Sequence, residues 1–246
     1  MKKALPIVLA AAGLASLTAT PALAIDGLSA NAAVTTNYVF RGISQSGANP
    51  AAQAGLDYNI PGVSGLAVGT WVSSIDFGNA NGEDTPIEWD IYGSYTYAVT
   101  EMFSLSVGAI HYTYPSSPHG VNYNWYEGWV GASYNFGFAT VGGKVYYSPD
   151  YVNLSTHQIY YTAGVTVPVA PWLSLSANVG HTDVEHAVFP IIKDYTDWNV
   201  SAAASYENFT LTVGYAGTDL DGAYEVKSGA FQTTAQLFVM LSFKLP

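Results

Sequence analysis

The sequence predicts an all-β fold, a single closed antiparallel transmembrane β-barrel of about twelve strands with short periplasmic turns and longer extracellular loops. Three observations predict it. Apolar and polar residues alternate one by one over long segments, the connections between those segments alternate long and short, and aromatic residues gather where segments meet connections.

The chain begins with Lys2 and Lys3, then an apolar run through Leu5, Ile7, Val8, Leu9 and Leu14 that closes on Ala22-Leu23-Ala24. A basic start, an apolar middle and a small-residue cleavage site make residues 1–24 a signal peptide removed on export, in preference to a retained anchor. Residues 25–246 then form one unit, since 222 residues are short for two domains and a linker. Few residues separate Ile25 from the first strand, so no N-terminal plug domain is expected. The chain has no cysteine, and an exported fold of this kind must hold together without disulfides.

Period-2 alternation places one set of side chains on each face of a strand. It is clearest where Leu173, Leu175, Ala177 and Val179 interleave with Ser174, Ser176, Asn178 and Gly180, where Phe209, Leu211, Val213 and Tyr215 interleave with Thr210, Thr212 and Gly214, and from Thr233 to Leu241. The same template yields strands beginning near Leu28, Ala51, Gly65, Pro86, Met102, Tyr123, Phe138, Thr156, Leu173, Tyr195, Phe209 and Gly229. Residues 60–64, 100–101, 135–137, 168–172 and 207–208 read as short turns. Residues 42–50, 76–85, 115–122, 149–155, 183–194 and 219–228 read as longer loops rich in Gly, Pro, Asp and Ser. This strict alternation suits an outer-membrane barrel with both termini in the periplasm, whereas the Greek-key crossings of a soluble β-sandwich give it no reason to arise. Mature prolines, Pro168 and Pro190 among them, fall at strand ends or in connections, so no ladder donor is lost inside a strand.

Composition supports the same reading. Only 10% of residues are charged while 14% are aromatic, which is unusual for a water-facing surface. Phe103, Tyr134, Phe138, Trp172, Tyr206, Phe209 and Phe243 lie on the short-turn side, and Tyr38, Phe40, Trp89, Trp198 and Tyr215 nearer the long loops, as two interfacial girdles require. Removing the two leader lysines leaves five basic against eighteen acidic residues, a formal charge of −13 that excludes a nucleic-acid binder. The expected partners are outer-membrane lipid and lipopolysaccharide, small solutes, and the outer-membrane assembly machinery during biogenesis. No cofactor is implied.

The segment Asn37-Tyr38-Val39-Phe40-Arg41-Gly42-Ile43-Ser44-Gln45-Ser46 resembles the TorF-type porin family of exported proteobacterial proteins. Gly69-Thr70-Trp71, Glu88-Trp89-Asp90-Ile91-Tyr92-Gly93, Tyr112-Thr113-Tyr114-Pro115 and Tyr126-Glu127-Gly128 resemble it too, so the likeness spans most of the mature chain. It implies an outer-membrane barrel and a porin, and it carries over no ligand residues.

With the apolar register facing lipid, the other register faces the lumen and reads as a hydrated interior. Its charged members are Arg41 and Lys144 against Asp57, Glu88, Asp90, Glu127 and Asp197. A net acidic lumen between low-dielectric walls favours cations. Arg41 and Lys144 are expected to pair with carboxylates, and those pairs either tune ion passage or cross-link and fill the barrel. Arg41 itself stands where the first strand enters a loop and reaches Asp57 or Glu88, or else snorkels at the rim. Twelve strands ~4.8 Å apart and tilted ~40° close at a radius of roughly 12 Å, so the inward Trp71, Trp125 and Trp129 either constrict the passage or belong to the upper girdle.

Catalysis finds little support. His111, His119, His157, His181 and His186 lie near strand ends or in loops without a serine elbow. His181, Asp183, Glu185 and His186 lack a zinc spacing, and neither Asp219 with Asp221 nor Glu83 with Asp84 makes a calcium loop, so no metal site is expected. Two functions remain: a channel for passive diffusion of small polar solutes with a mild cation preference, and a non-conducting barrel with a structural or loop-mediated binding role.

Overall fold

The computed structural model describes residues 25–80, 83–187 and 193–245. The expected leader at 1–24 lies outside them, as does Pro190. Among the described residues, twelve strands close into one antiparallel barrel, each hydrogen-bonded to its neighbours in sequence. They are β1 (Leu28–Thr35), β2 (Ala51–Asn59), β3 (Leu66–Ser74), β4 (Ile87–Ala98), β5 (Phe103–Thr113), β6 (Trp125–Asn135), β7 (Thr140–Ser148), β8 (Gln158–Ala170), β9 (Leu173–Val184), β10 (Tyr195–Tyr206), β11 (Phe209–Thr218) and β12 (Gln236–Leu245). Pairing of β1 with β12, from Ala30 opposite Leu245 to Thr35 opposite Met240, closes the ring and removes every sheet edge.

The side-chain distribution is inverted relative to a water-soluble domain. Val130 is 59% exposed and Leu237 64%, whereas Glu127 and Gln158 are fully buried. Such an outer face is stable only against lipid, and the buried polar set lies on the inward register. Phe138, Trp172 and Tyr206 are exposed at the short-turn end, and Trp89 and Tyr215 towards the other, as girdle residues are.

Three expectations need correction. The last strand begins at Gln236 rather than near Gly229, because Thr233 turns back to hydrogen-bond Val226 through both its backbone amide and its hydroxyl and so belongs to the loop. Pro168 lies within β8, paired with Ser174, where the register shifts before Ala170. An irregularity of this kind is where a strand tolerates a residue without an N–H donor. Tyr38 and Phe40 are not girdle residues, since the loop that carries them turns inward.

Candidate functional site

That loop decides the character of the lumen. After Thr35 the chain forms a small hairpin in which Val39 pairs with Ser44 and Phe40 with Ile43. Its two turn residues, Arg41 and Gly42, have φ of +47° and +77°, the left-handed pair of a type I′ turn. Holding a non-glycine residue there costs about 1–2 kcal/mol, so the surroundings must over-determine it.

They do so by two contacts with the far wall. The Arg41 guanidinium donates from Nη2 to both Glu127 carboxylate oxygens, at 2.7 and 2.9 Å, and from Nη1 to Gln158 Oε1 at 3.2 Å. Its carbon lies 3.9 Å from the Tyr160 ring centre and 4.8 Å from that of Phe40. Gly42 abuts β10 and β11 so closely that an added Cβ would stand 2.6 Å from the Gly217 carbonyl oxygen and 3.0 Å from Asp197 Cβ. Only glycine fits the tip. The hairpin leaves β1 and ends against β6, β8, β10 and β11, which means that it crosses the barrel.

Burial works against the charge on Arg41, but the adjacent Glu127 carboxylate, helped by Tyr112 and Tyr151, more than offsets it and holds the guanidinium pKa above its ordinary value. Tyr112 adds a hydrogen bond to Glu127 at 3.0 Å, so an ion pair in which one guanidinium nitrogen spans both carboxylate oxygens stands inside a shell of aromatic rings. The hairpin and its flanking residues are also tied to other loops and to the start of β12. Ser44 N–H donates to the Gln232 carbonyl, Asp76 N–H to the Gln45 carbonyl, and Asn37 Nδ2 to Gln236 Oε1.

Above the hairpin the long loops form an aromatic cap. Trp125 stacks on Tyr112 at 4.2 Å and meets Tyr151 edge-on at 4.8 Å, while Phe77 contacts Tyr114 and Tyr123 of the connection between β5 and β6 and Phe231 of the one before β12. The long-loop half of the barrel is therefore a packed interior, not the hydrated one the sequence suggests. Towards the short turns the inward register changes to small polar residues such as Ser94, Thr96, Ser106, Thr166 and Ser176, and there the lumen opens.

The inward acids distribute around this plug. Arg41 pairs with Glu127 and not with Asp57 or Glu88, because it lies at the hairpin tip instead of at the end of β1. Asp57 is held by Tyr92 Oη at 2.6 Å and Asn31 Nδ2 at 3.3 Å, Glu88 receives Tyr38 Oη at 3.5 Å, and Asp197 receives Tyr160 Oη at 3.2 Å. Lys144 has no carboxylate partner among the ion pairs of the described residues. Its ammonium lies 5.2 Å from the Trp129 ring centre and faces the open half, a cation–π contact in place of the expected salt bridge. Trp71, Trp125 and Trp129 all point inward, at different depths: Trp71 against Tyr38, Trp125 in the cap, and Trp129 flat over Gly108 in the neighbouring strand. Outside the lumen, Glu185 meets His157 Nδ1 at 2.8 Å and His186 Nε2 at 3.8 Å, while His181 Nδ1 lies 3.2 Å from Thr196 Oγ1.

The hairpin itself was within reach of the sequence. Arg41-Gly42 between Val39-Phe40 and Ile43-Ser44 has the two-residue form of a type I′ turn, without the Asn-Gly or Asp-Gly that advertises one.

Residues 19–244 match the family model described as a bacterial protein of unknown function (Gcw_chp). The chain belongs to this family. No curated protein matches the sequence. Among solved structures, the porin NanC superposes with a TM-score of 0.60 at 14% identity, over 87% of this chain and 100% of its own. The KdgM porin gives a TM-score of 0.56 at 9% identity, over 89% and 99%. A second KdgM structure, in complex with disordered oligogalacturonate, gives 0.57 at 9% identity. At these identities the likeness establishes the fold, a twelve-stranded barrel of the kind found in outer-membrane porins.

Proposed function

We propose that this protein is an outer-membrane channel for passive diffusion of small polar solutes, closed in the present conformation by the loop hairpin at residues 39–44 and the aromatic cap packed on it. The observation that carries the reading is the division of the lumen. A small-residue polar passage leads from the short-turn end to one hairpin whose tip is latched by a single ion pair. Solved barrels of the same fold are named as porins, and the resemblance of residues 37–46 to TorF-type porins points the same way.

The solute class follows from the acids. With Arg41 and Glu127 cancelling, Asp57, Glu88, Asp90 and Asp197 outweigh Lys144, which favours cations. Oligogalacturonate, the polyanion bound to KdgM, is the opposite of what this interior suits. A zero-current potential across a salt gradient in planar bilayers tests both halves: current steps with cation preference are expected, and anion preference would refute the selectivity. The second reading, a permanently closed barrel, draws on the packed long-loop half, and it predicts no steps at any salt and no sugar-dependent liposome swelling.

A further inference from the structure

Directly beneath the hairpin lies a cavity of about 340 Å³. Its wall comes from β1 to β4 through Asn31, Gln53, Trp71, Asp90 and Tyr92, its roof from Tyr38 and Phe40, and its two flanks from Ile110 of β5 and from Phe238 and Met240 of β12. Trp71 and Asp90 are direct cross-strand partners, and Gly55 stands between Asn31 and Trp71 with no side chain to separate them.

The hydrogen-bonding inventory of this cavity is one-sided. Asn31 turns its Nδ2 to the Asp57 carboxylate, which can only accept, and its Oδ1 is left without a protein partner. Ser73 donates its hydroxyl proton to the Ser74 carbonyl, so Gln53 must present Nε2 to Ser73 Oγ, and Gln53 Oε1 is left over. Asp90 Oδ1 is unpartnered as well. All three residues are at least nine-tenths buried. Of the donors that line the cavity, Tyr92 is committed to Asp57, Tyr112 to Glu127, Tyr38 to Glu88 and Asn37 to Gln236. What remains is a buried carboxylate oxygen and two amide oxygens against the single indole N–H of Trp71, with the faces of Trp71 and Tyr38 beside them.

We propose that this cavity binds a small organic cation, an ammonium group carried on an apolar body. The ammonium donates to Asp90 and lies against the ring of Trp71, its direct cross-strand neighbour, Gln53 and Asn31 offer further acceptors along the same wall, and the body packs on the apolar lining of Ile110, Phe238 and Met240. Unmet acceptors call for a donor, the carboxylate calls for positive charge, and aromatic faces bind cations that have lost part of their hydration. A metal ion fits less well, since calcium takes six to eight oxygens in a tight shell and this space is wide and half apolar. The proposal deepens the channel reading and rests on it only for the route by which solutes enter from the short-turn end.

Binding is therefore measured without conduction, on the refolded full-length barrel in detergent, by calorimetry and tryptophan fluorescence. 2-Phenylethylammonium is the probe and 2-phenylethanol its neutral counterpart. The amine is expected to bind and shift the fluorescence, and the alcohol to bind at least about tenfold more weakly. Asp90→Asn should weaken the amine by about tenfold or more, and Gln53→Leu supplies a second variant if that one does not fold. Trp71→Phe should abolish most of the fluorescence shift. Equal binding of alcohol and amine, unchanged affinity in Asp90→Asn and Gln53→Leu, or the same response to sodium or calcium chloride alone would overturn the site. Amine binding without current steps would instead sink the channel and leave the site standing.

Discussion

Replacing Glu127 with glutamine is expected to destabilise the crossing hairpin by about 3–5 kcal/mol, because the guanidinium of Arg41 then stays buried without its counter-charge. The pair is nearly free of solvent, with side-chain exposures of 5% and 0%, so water cannot take over the role of the carboxylate. Hydrogen exchange reads this locally. The Ser44 and Gln45 amides, which donate to Gln232 and Tyr38, should lose at least about a hundredfold in protection while amides at mid-barrel do not change. The double replacement Arg41→Met with Glu127→Leu should recover much of the loss, since an apolar pair of similar volume often does as well as a buried ion pair. Unchanged protection in Glu127→Gln would mean that the hairpin is held by its ties to the other loops alone.

A second large effect separates the two faces of one strand. Val200 is 49% exposed in the middle of β10, between Ala177 and Tyr215 of the adjacent strands, and Ser201 follows it on the inward register. Val200→Arg should cost about 2–4 kcal/mol of folding free energy in lipid vesicles, as charge on the lipid face near the midplane does. Ser201→Arg should cost clearly less, because its side chain enters the open half of the lumen. Urea titrations of both variants in vesicles check the difference. Equal costs would contradict the lipid assignment of the outer register.

These contrasts show what was legible in the sequence and what was not. A strand with two different environments writes its period into the chain, so eleven of the twelve strands start within two residues of where alternation places them. The exception, β12, fails because alternation from Thr233 continues into residues that fold back on Val226, and a period-2 pattern does not reveal which partner a segment pairs with. The lumen was legible in composition and illegible in connection. Arg41, Glu127 and Gln158 all belong to the inward set, yet their meeting depends on a hairpin that spans the barrel, and residues 41, 127 and 158 have no local relation in sequence. Tyr38 and Phe40 were misplaced for the same reason: an aromatic residue near a strand end looks the same whether its loop turns outward to lipid or inward to the lumen.

The crossing hairpin, with the aromatic cap packed on it through Phe40 and Tyr112, closes the long-loop half of the polar passage, and the measurement that tests this most directly is single-channel conductance of two refolded proteins in planar bilayers. One is the natural sequence and the other carries a short Gly-Ser segment in place of residues 39–44. The account predicts rare or small current steps for the natural protein and frequent steps, at least severalfold larger, once the hairpin is gone, as expected when the side chains filling a barrel of this radius are withdrawn. Identical conductance in the two proteins would contradict it.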